Sequence, residues 1–210
     1  MSPRLTVVEH PLVQHKLAYL RDKNTPTVHF RKLVNEVTLL LTYEATKDME
    51  TEPWEIETPL EKMTAQRISG KKVAICPVLR AGVGMLDGVL SLVSSARVGF
   101  IGLYRDEATL EPVQYYIKLP EDLDARSAIV LDPMLATGNT AVAAVDRLKE
   151  HAAGELRFVC LLATPVGLAN FHGHHPEVRV WTAAIDQQLN EHGYILPGLG
   201  DAGDRLYGTR

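Results

Sequence analysis

The chain has 210 residues, of which 46% are hydrophobic and 23% charged, a composition typical of a soluble globular protein. Its formal net charge of −4 argues against a broad nucleic-acid-binding surface, which needs a basic face, but leaves room for a local anion site. The two cysteines, Cys76 and Cys160, lie in apolar runs. We expect them to be buried thiols, since two cysteines are too few for a disulfide framework.

The N-terminal residues contain no long apolar segment of the kind that signal peptides carry. No stretch approaches the roughly 18 uncharged apolar residues that a membrane-spanning helix needs. We therefore expect a cytoplasmic protein without a membrane span.

Residues 1–70 are expected to form a helical extension. Thr25 and Pro26 have the pattern of a helix N-cap followed by proline at the first helical position. Apolar residues then recur at helical spacing, namely Phe30, Leu33, Val34, Val37, Leu40 and Leu41. A second helix start is predicted at residues 58–61, where Glu61 is placed to complete a capping box with Thr58. We expect this extension to pack on the rest of the chain or on a neighbouring subunit.

The remainder of the chain predicts an α/β fold, with a parallel sheet flanked by helices. Short apolar, β-branched runs read as strands buried on both faces, and they occur at residues 73–79, 98–103, 128–131, 158–163 and 178–183. A helix is predicted over residues 140–151, because Val142, Val145 and Leu148 share one face. Such alternation favours right-handed βαβ units. No linker interrupts it, so a single domain over residues 1–210 is predicted.

The segment that follows the third predicted strand has the chemistry of a phosphate site. An apolar strand ends at Asp132, a loop of small residues follows, and a helix then begins. Loop amides and a helix N-terminus can hold phosphate oxygens, the hydroxyls of Thr137 and Thr140 can add donors, and Asp132 can accept hydrogen bonds from sugar hydroxyls. The candidate substrate-binding residues here are Asp132, Pro133, Met134, Leu135, Ala136, Thr137, Gly138, Asn139 and Thr140. The alternative is a plain strand-to-helix turn in which Thr140 caps the helix.

Two further segments follow predicted strands and carry arginine. Arg80 stands at the end of one strand, before a glycine-bearing turn, where it can pair bidentately with a pyrophosphate or lie on the surface. Residues 104–120 are rich in charge and aromatic side chains and lack helical periodicity, which fits either an exposed hairpin or a mobile lid over residues 105–120.

The C-terminal segment over residues 193–210 contains Gly198, Gly200 and Gly203, which predicts a backbone-lined turn and not a helix. Main-chain N–H and C=O groups in such a turn can match a ligand edge that presents an acceptor, a donor and an acceptor, without a charged side chain. A plain surface loop is the alternative.

Two clusters of titratable side chains are interpreted as parts of the surface and not as functional sites. The histidines 172, 174 and 175 flank glycine and proline in a predicted solvated turn, without further ligands at metal-site spacing. The acidic residues form a predicted solvated face, and they are Glu50, Glu52, Glu55, Glu57 and Glu61.

Residues 131–140 resemble the phosphoribosyl-pyrophosphate loop of the phosphoribosyltransferases, and Asp132 to Gly138 is most similar to the version found in the uracil-specific members. Residues 76–85 resemble the pyrophosphate loop of that family, residues 104–120 its flexible loop, and residues 193–205 its uracil-binding segment. The segments 10–13 and 21–25 also resemble the family, so the likeness runs over nearly the whole chain. One departure is visible, since the family usually has glycine where this chain has Asn139. If that position needs a left-handed backbone, asparagine is among the best substitutes.

The resemblance implies a type I-like phosphoribosyltransferase fold with a β-hairpin lid. The implied reaction transfers phosphoribosyl from phosphoribosyl pyrophosphate to uracil, with Mg²⁺ as cofactor. It implies that Arg80 and Arg105 stabilise the pyrophosphate, that Asp132 holds the ribose hydroxyls and that Asp201 lies near the reacting centre. Base contacts are implied for the backbone of Ile195 and of Gly200, Asp201 and Ala202. Family members are at least dimers, here through the N-terminal helices, and some are activated by GTP.

Two alternatives stay open from the sequence. The first is a phosphoribosyltransferase for another nucleobase, such as a purine. The second is an RNA-binding regulator of pyrimidine operons on the same fold, which the net charge of −4 and the absence of a Lys/Arg run disfavour. A catalytically inactive module is disfavoured because Arg80, Asp132 and Asp201 are all present.

Overall fold

The computed structural model describes residues 4–70, 73–105 and 112–209. Its main element is a nine-stranded sheet in which all pairings are parallel except that between β6 and β7. The main strand order is β1-β11-β10-β8-β4-β6-β7, with β5 added to β4 and β9 to β10. The strands of this sheet are β1 (Leu5–Val7), β4 (Ala74–Leu79), β5 (Arg97–Val98), β6 (Phe100–Arg105), β7 (Pro112–Lys118), β8 (Ala128–Leu131), β9 (Met134–Leu135), β10 (Leu156–Ala163) and β11 (Arg179–Ile185). The α/β fold class and the five predicted strands are confirmed.

Helices cover both faces of this sheet and give the protein two hydrophobic cores. On one face, Phe30, Val34 and Leu41 of α2 pack with Leu131 and Leu161 of the central strands. The other core joins α4 and α5 to the opposite face of the same strands. The helices are α1 (Pro11–Arg21), α2 (Thr27–Ala45), α3 (Leu86–Leu92), α4 (Asn139–Glu150), α5 (Pro165–His174) and α6 (Ala202–Tyr207). Both Cys76 and Cys160 are buried free thiols, and burial raises the pKa of each to about 12.

The start of α2 differs from the prediction. The helix begins at Thr27, and Pro26 occupies the N-cap position, not the first helical position. Thr25 is not the cap, because its hydroxyl donates to the carbonyl of Tyr19 at the end of α1. The residues predicted to recur at helical spacing all lie in α2, as expected.

The predicted second helix start at residues 58–61 is wrong, because these residues form a hairpin turn. They join β2 (Thr51–Glu57) to β3 (Lys62–Ile68) in a separate two-stranded antiparallel sheet. The Thr58 hydroxyl accepts hydrogen bonds from the Leu60 and Glu61 amides, as a capping threonine would. However, the Thr58 amide also donates to the Glu61 carbonyl and closes the turn, so the chain reverses. Only part of the N-terminal 70 residues is therefore helical.

The histidine cluster is not a solvated turn. His172 and His174 lie in α5, and His175 directly follows it, buried to 3% exposure with its Nδ1 2.7 Å from Lys149 Nζ. The helix extends this far because Leu168 and Phe171 of the same segment are buried in the core. Among residues 4–70, 73–105 and 112–209, no group of three or more His, Cys, Asp or Glu side chains is placed to hold a metal ion. Within the same residues no helix is both long and apolar enough to cross a membrane.

Candidate active site

A cleft of about 380 Å³ opens beyond the ends of β4 and β8. In parallel α/β sheets, ligands bind at the carboxyl ends of the strands, so this is the expected place for a site. The phosphate loop lines one side of the cleft and the C-terminal segment lines the other. Ala81 of the segment 76–85 lines the cleft as well, so the structure brings together three of the four segments that the sequence predicted to act together.

The phosphate loop contains its left-handed residue at Gly138, which has φ 86° and precedes the first helical residue of α4. Residue 139 does not need this conformation, because Asn139 is already helical. A Cβ at Gly138 would lie 2.7 Å from the Gly167 carbonyl oxygen, so both the dihedral angle and the space require glycine. Thr140 lies in the first turn of α4 and does not cap it. The phosphate loop thereby ends at a free helix N-terminus, the kind of site that binds anions.

Residues 133–135 attach this loop to the sheet. The Pro133 carbonyl accepts from the Leu161 and Leu162 amides, and Met134–Leu135 pair with β10. The Leu135 side chain is 1% exposed and packs in the core, so this predicted substrate-binding residue can contribute only its backbone. Pro133, Met134, Ala136 and Thr140 all line the cleft.

Asp132 is one of two carboxylates that line the cleft, the other being Asp201. Asp132 is half-buried, and its Oδ1 accepts one hydrogen bond from the Met134 amide at 3.3 Å. Burial raises the pKa of this carboxyl to about 7, and the Met134 amide opposes the rise only in part. Among the described residues, no cation pairs with Asp132, so this carboxylate is available to bind a ligand.

Arg80 follows β4 at the opening of a short 3₁₀ turn over Ala81–Met85, and its peptide bond with Leu79 is cis. A Cβ at Gly82 would collide with the Leu131 carbonyl oxygen, which explains why glycine brings this turn close to β8. The hydroxyl of Tyr207 donates to the Arg80 carbonyl at 2.9 Å. The Arg80 side chain is exposed, and its neighbour Ala81 lines the cleft.

The described residues of the predicted lid belong to two paired antiparallel strands. The backbone of Arg105 ends β6 opposite Pro112 of β7. Residues 106–111 of the predicted lid lie outside the described residues. The antiparallel pairing of β6 and β7 confirms the hairpin, whereas closure over a substrate stays a prediction.

The C-terminal segment forms a turn and then a helix. Gly198 and Gly200 have φ 60° and 79°, as expected of a glycine turn, but Gly203 lies in α6, so the prediction of no helix is wrong there. Asp201 caps that helix: its Oδ1 accepts from the Asp204 amide at 2.9 Å, and its Oδ2 from the Tyr194 hydroxyl at 3.3 Å. This capping keeps Asp201 on the wall of the cleft. Ile195 and Ala202, both buried, lie beside it and present mainly backbone.

An ion pair that was not predicted from the sequence holds this turn. Arg21, at the end of α1, donates to both carboxylate oxygens of Asp186 at 2.6 and 2.8 Å and to the Gly198 carbonyl at 2.9 Å. Asp186 in turn accepts from the Gly198 amide at 2.9 Å. Burial alone would raise the pKa of Asp186, but the hydrogen bonds from Arg21 and Gly198 outweigh it and hold that pKa below its usual value. Arg21 stands in one of the segments that carry the family resemblance, which was the only sequence signal for it.

Tyr194 and His192 also line the cleft and were not predicted. Tyr194 is exposed, so hydrophobic patterning could not have marked it. Its position between a glycine turn and an apolar pair, in Gly193-Tyr194-Ile195-Leu196, is the one local signal.

The chemistry of these donors fits a Mg²⁺ ion that arrives with a phosphorylated substrate. Mg²⁺ is commonly bound by one or two carboxylates together with substrate phosphates and waters. Asp132 supplies such a carboxylate, since its Oδ2 accepts no hydrogen bond within the described residues. No three-ligand cage is needed for this mode of binding.

Comparison with known proteins gives a consistent result. The family model described as "Uracil phosphoribosyltransferase" matches residues 7–209. A uracil phosphoribosyltransferase of Paracoccus denitrificans is 59% identical over 98% of this chain and 98% of its own length, and one of Streptococcus uberis is 57% identical over 97% and 98%. A solved structure of a protein from Aquifex aeolicus matches with a TM-score of 0.93 at 38% identity, covering 98% of both chains. The adenine phosphoribosyltransferase of Trypanosoma brucei, at 11% identity and a TM-score of 0.60, shares the fold.

Proposed function

Because the chain belongs to the uracil phosphoribosyltransferase family, we propose that it transfers the 5-phosphoribosyl group of phosphoribosyl pyrophosphate to uracil. The products are UMP and pyrophosphate, so the enzyme salvages uracil for pyrimidine nucleotide synthesis. One structural observation supports the proposal independently of family membership. Residues of the phosphate loop, residues of the C-terminal glycine turn and the carboxylates Asp132 and Asp201 line one and the same cleft.

In the proposed complex, the amides of residues 136–140 and the hydroxyls of Thr137 and Thr140 bind the 5-phosphate. The N-terminus of α4 adds its partial positive charge. Asp132 accepts hydrogen bonds from the ribose hydroxyls. Because its pKa is raised to about 7, the Asp132 carboxylate needs hydrogen-bond donors to stay ionised. The two ribose hydroxyls supply these donors.

Uracil binding is assigned to backbone groups. The bound edge of uracil presents O4, N3–H and O2, and a turn with free N–H and C=O groups can match it. Ile195 and residues 200–202 line the cleft and bring such groups to one place. The ion pair of Arg21 with Asp186 holds the preceding Gly198 turn, which fixes where the base is received.

The transfer itself is a displacement at ribose C1. The bond from C1 to the pyrophosphate oxygen breaks and its electron pair leaves with the pyrophosphate. Uracil N1 forms the new bond to C1 and releases its proton to solvent water. Such a step depends chiefly on stabilising the leaving group. We assign this to Arg80 and Arg105, and we place Asp201 near the reacting centre, where the Tyr194 hydroxyl orients it. Mg²⁺, when bound through the pyrophosphate and Asp132, supplies further neutralisation of the leaving-group charge.

The proposal is tested by incubating the full chain with phosphoribosyl pyrophosphate, MgCl₂ and one nucleobase at a time, and measuring nucleotide and pyrophosphate. We expect equimolar UMP and pyrophosphate with uracil, and loss of both on chelation of Mg²⁺. Turnover of hypoxanthine but not uracil would instead identify the enzyme for another base. Salt-sensitive, sequence-specific RNA binding without turnover would favour the regulator.

We further propose that the enzyme is a homodimer or a larger homo-oligomer and that GTP activates it. The β2–β3 hairpin exposes Trp54 and Met63 by 49% and 45%, and Leu60 at its turn by 95%. Exposed apolar groups of this kind are typical of interfaces. Light scattering tests the assembly, and a monomeric mass at micromolar concentration refutes it. The assay above, repeated with GTP, tests the activation.

A further inference from the structure

Helix α5 is joined to the phosphate loop through three consecutive carbonyl groups. The Leu135 carbonyl accepts from the Thr164 amide at 3.0 Å, and the Ala136 carbonyl from the Thr164 hydroxyl at 2.6 Å. The third, that of Thr137, accepts from Asn170 Nδ2 at 2.8 Å. The helix and the loop lie so close that a Cβ at Gly167 would overlap the Ala136 carbonyl oxygen.

This arrangement determines where the loop amides point. In a trans peptide, the N–H of the next residue is directed opposite to the carbonyl. Of the described peptide bonds, only Leu79–Arg80 and Leu196–Pro197 are cis. Three carbonyls held towards α5 therefore direct the amides of Ala136, Thr137 and Gly138 to the opposite side of the loop, as a phosphate-binding nest requires.

Asn170 has a second partner in the same loop. Its Nδ2 also donates to Asn139 Oδ1 at 2.8 Å, so both hydrogens of one amide group are used. The orientation of the Asn170 side-chain amide follows from its partner. A carbonyl can only accept a hydrogen bond, so Asn170 must present its NH₂ group to the Thr137 carbonyl. Asn139 must then present its oxygen.

The pairing turns the Asn139 side chain back onto α5. An asparagine oxygen at the start of a helix otherwise accepts from nearby backbone amides, which are the groups that a phosphate would use.

We propose that Asn170 is a positioning residue for the phosphate loop, and that its bond to Asn139 is what allows asparagine to stand at the start of α4. The inference rests on the proposed role of residues 136–140 in binding the 5-phosphate. Asn170 touches no substrate in this scheme. It acts through the Thr137 carbonyl and the Asn139 side chain.

The experiment compares Asn170→Ala, Asn139→Gly and the double variant with the unmodified chain. Asn170→Ala is expected to raise the KM for phosphoribosyl pyrophosphate about tenfold, since two hydrogen bonds are lost, while the KM for uracil stays within about twofold. Asn139→Gly removes the competing side chain together with its restraint, and its own KM for phosphoribosyl pyrophosphate is the reference against which the double variant is compared. In the Asn139→Gly background, Asn170→Ala is expected to cost only about threefold, a non-additivity that a double-mutant cycle measures.

His174→Ala is the matched control. His174 lies one turn further along α5 and is exposed. Within the part of the chain that the structure describes, its ring hydrogen-bonds to the Asn170 backbone carbonyl alone, so its loss is expected to leave both KM values within about twofold. Thermal melting of every variant checks folding, and Asn170→Ser serves as a second variant if Asn170→Ala does not fold.

Calorimetric titration with ribose 5-phosphate separates this inference from the proposed function, because it reports phosphate binding without turnover. About tenfold weaker binding by Asn170→Ala supports the inference even if the unmodified chain makes no UMP, a result that would refute the proposed function alone. Unchanged ribose 5-phosphate binding in a folded Asn170→Ala variant overturns the positioning role. Equal rises in both KM values overturn it as well, and strict additivity overturns the coupling to Asn139.

Discussion

Replacing Asp132 with asparagine should make the ligand-free enzyme more stable and less active at the same time. Burial holds the pKa of this carboxyl at about 7, against an ordinary value of 3.8. Between these two pH values the folded state keeps a proton that the unfolded state has lost. The stability linked to that proton is fully present below pH 3.8 and is lost as the pH rises through 7.

The size of the effect follows from the shift. At about 1.4 kcal/mol per pKa unit, the full shift corresponds to about 4 kcal/mol, of which the larger part falls between pH 5 and pH 8. Because Asp132 is partly open to the cleft, solvent screening reduces this part to about 1–2 kcal/mol. The asparagine side chain of the variant carries no titrating proton, so its stability lacks this pH dependence. At about 2–4 °C per kcal/mol, the Tm of Asp132→Asn should therefore exceed that of the unmodified chain by about 2–8 °C more at pH 8 than at pH 5.

Calorimetry or fluorescence melting across this range provides the measurement, and Asp186→Asn provides the control. The pKa of Asp186 is held below its usual value, so its stabilising ion pair is intact throughout pH 5–8 and is lost only in more acidic solution. Its replacement should lower Tm by the same amount at every pH tested. A Tm difference for Asp132→Asn that does not change with pH would refute the buried-carboxyl account. At pH 8 the stabilised variant should also lose at least about tenfold in kcat/KM for phosphoribosyl pyrophosphate, as hydrogen bonds to a charged group are lost.

Three further substitutions test other parts of the cleft. Arg80→Ala should lower kcat/KM for phosphoribosyl pyrophosphate by tens- to hundreds-fold, equivalent to about 1.5–3 kcal/mol of charged hydrogen bonds, and unchanged steady-state kinetics would remove Arg80 from the site. Tyr207→Phe removes the hydroxyl that donates to the Arg80 carbonyl and should raise the KM for phosphoribosyl pyrophosphate about threefold with little change in Tm; a shift confined to uracil would contradict this. Arg21→Ala leaves the Asp186 carboxylate without its cation and loosens the Gly198 turn, so the KM for uracil should rise and Tm should fall by about 4–12 °C, corresponding to about 2–3 kcal/mol. A lower Tm with an unchanged KM for uracil would show that the turn is held by other contacts.

The central strands and α4 could be predicted because their signals are local. Strands β4, β8 and β10 are buried on both faces, so each is an unbroken apolar run that no surface requirement interrupts. The β2–β3 hairpin escaped prediction for the opposite reason. Both of its strands are largely exposed, so no hydrophobic alternation marks them, and its Thr58 turn has the same Thr-x-x-Glu pattern as a helix cap.

The site was predictable as a set of loops but not as a set of contacts. The phosphate loop and the glycine turn are contiguous segments, whereas the bonds that hold them join distant parts of the chain. Arg21 and Asp186 are 165 residues apart, and Asn139 and Asn170 are 31 apart. Neither pair has a spacing that local pattern reasoning can detect. The partners of these residues become visible only once the fold has brought the distant segments together.

Helix α6 contacts both the proposed uracil site and the proposed pyrophosphate loop. Its cap, Asp201, lies on the cleft wall beside the proposed uracil site, and Tyr207 in its last turn bonds to the Arg80 carbonyl of the proposed pyrophosphate loop. Between them, Leu206 is fully buried, and a Cβ at Gly84 of the pyrophosphate loop would approach its side chain to 2.6 Å. Since the helix has only six residues, it has little stability of its own and depends on these contacts to form. The base site and the pyrophosphate loop are therefore ordered by the same element, so damage to α6 should impair the use of both substrates together.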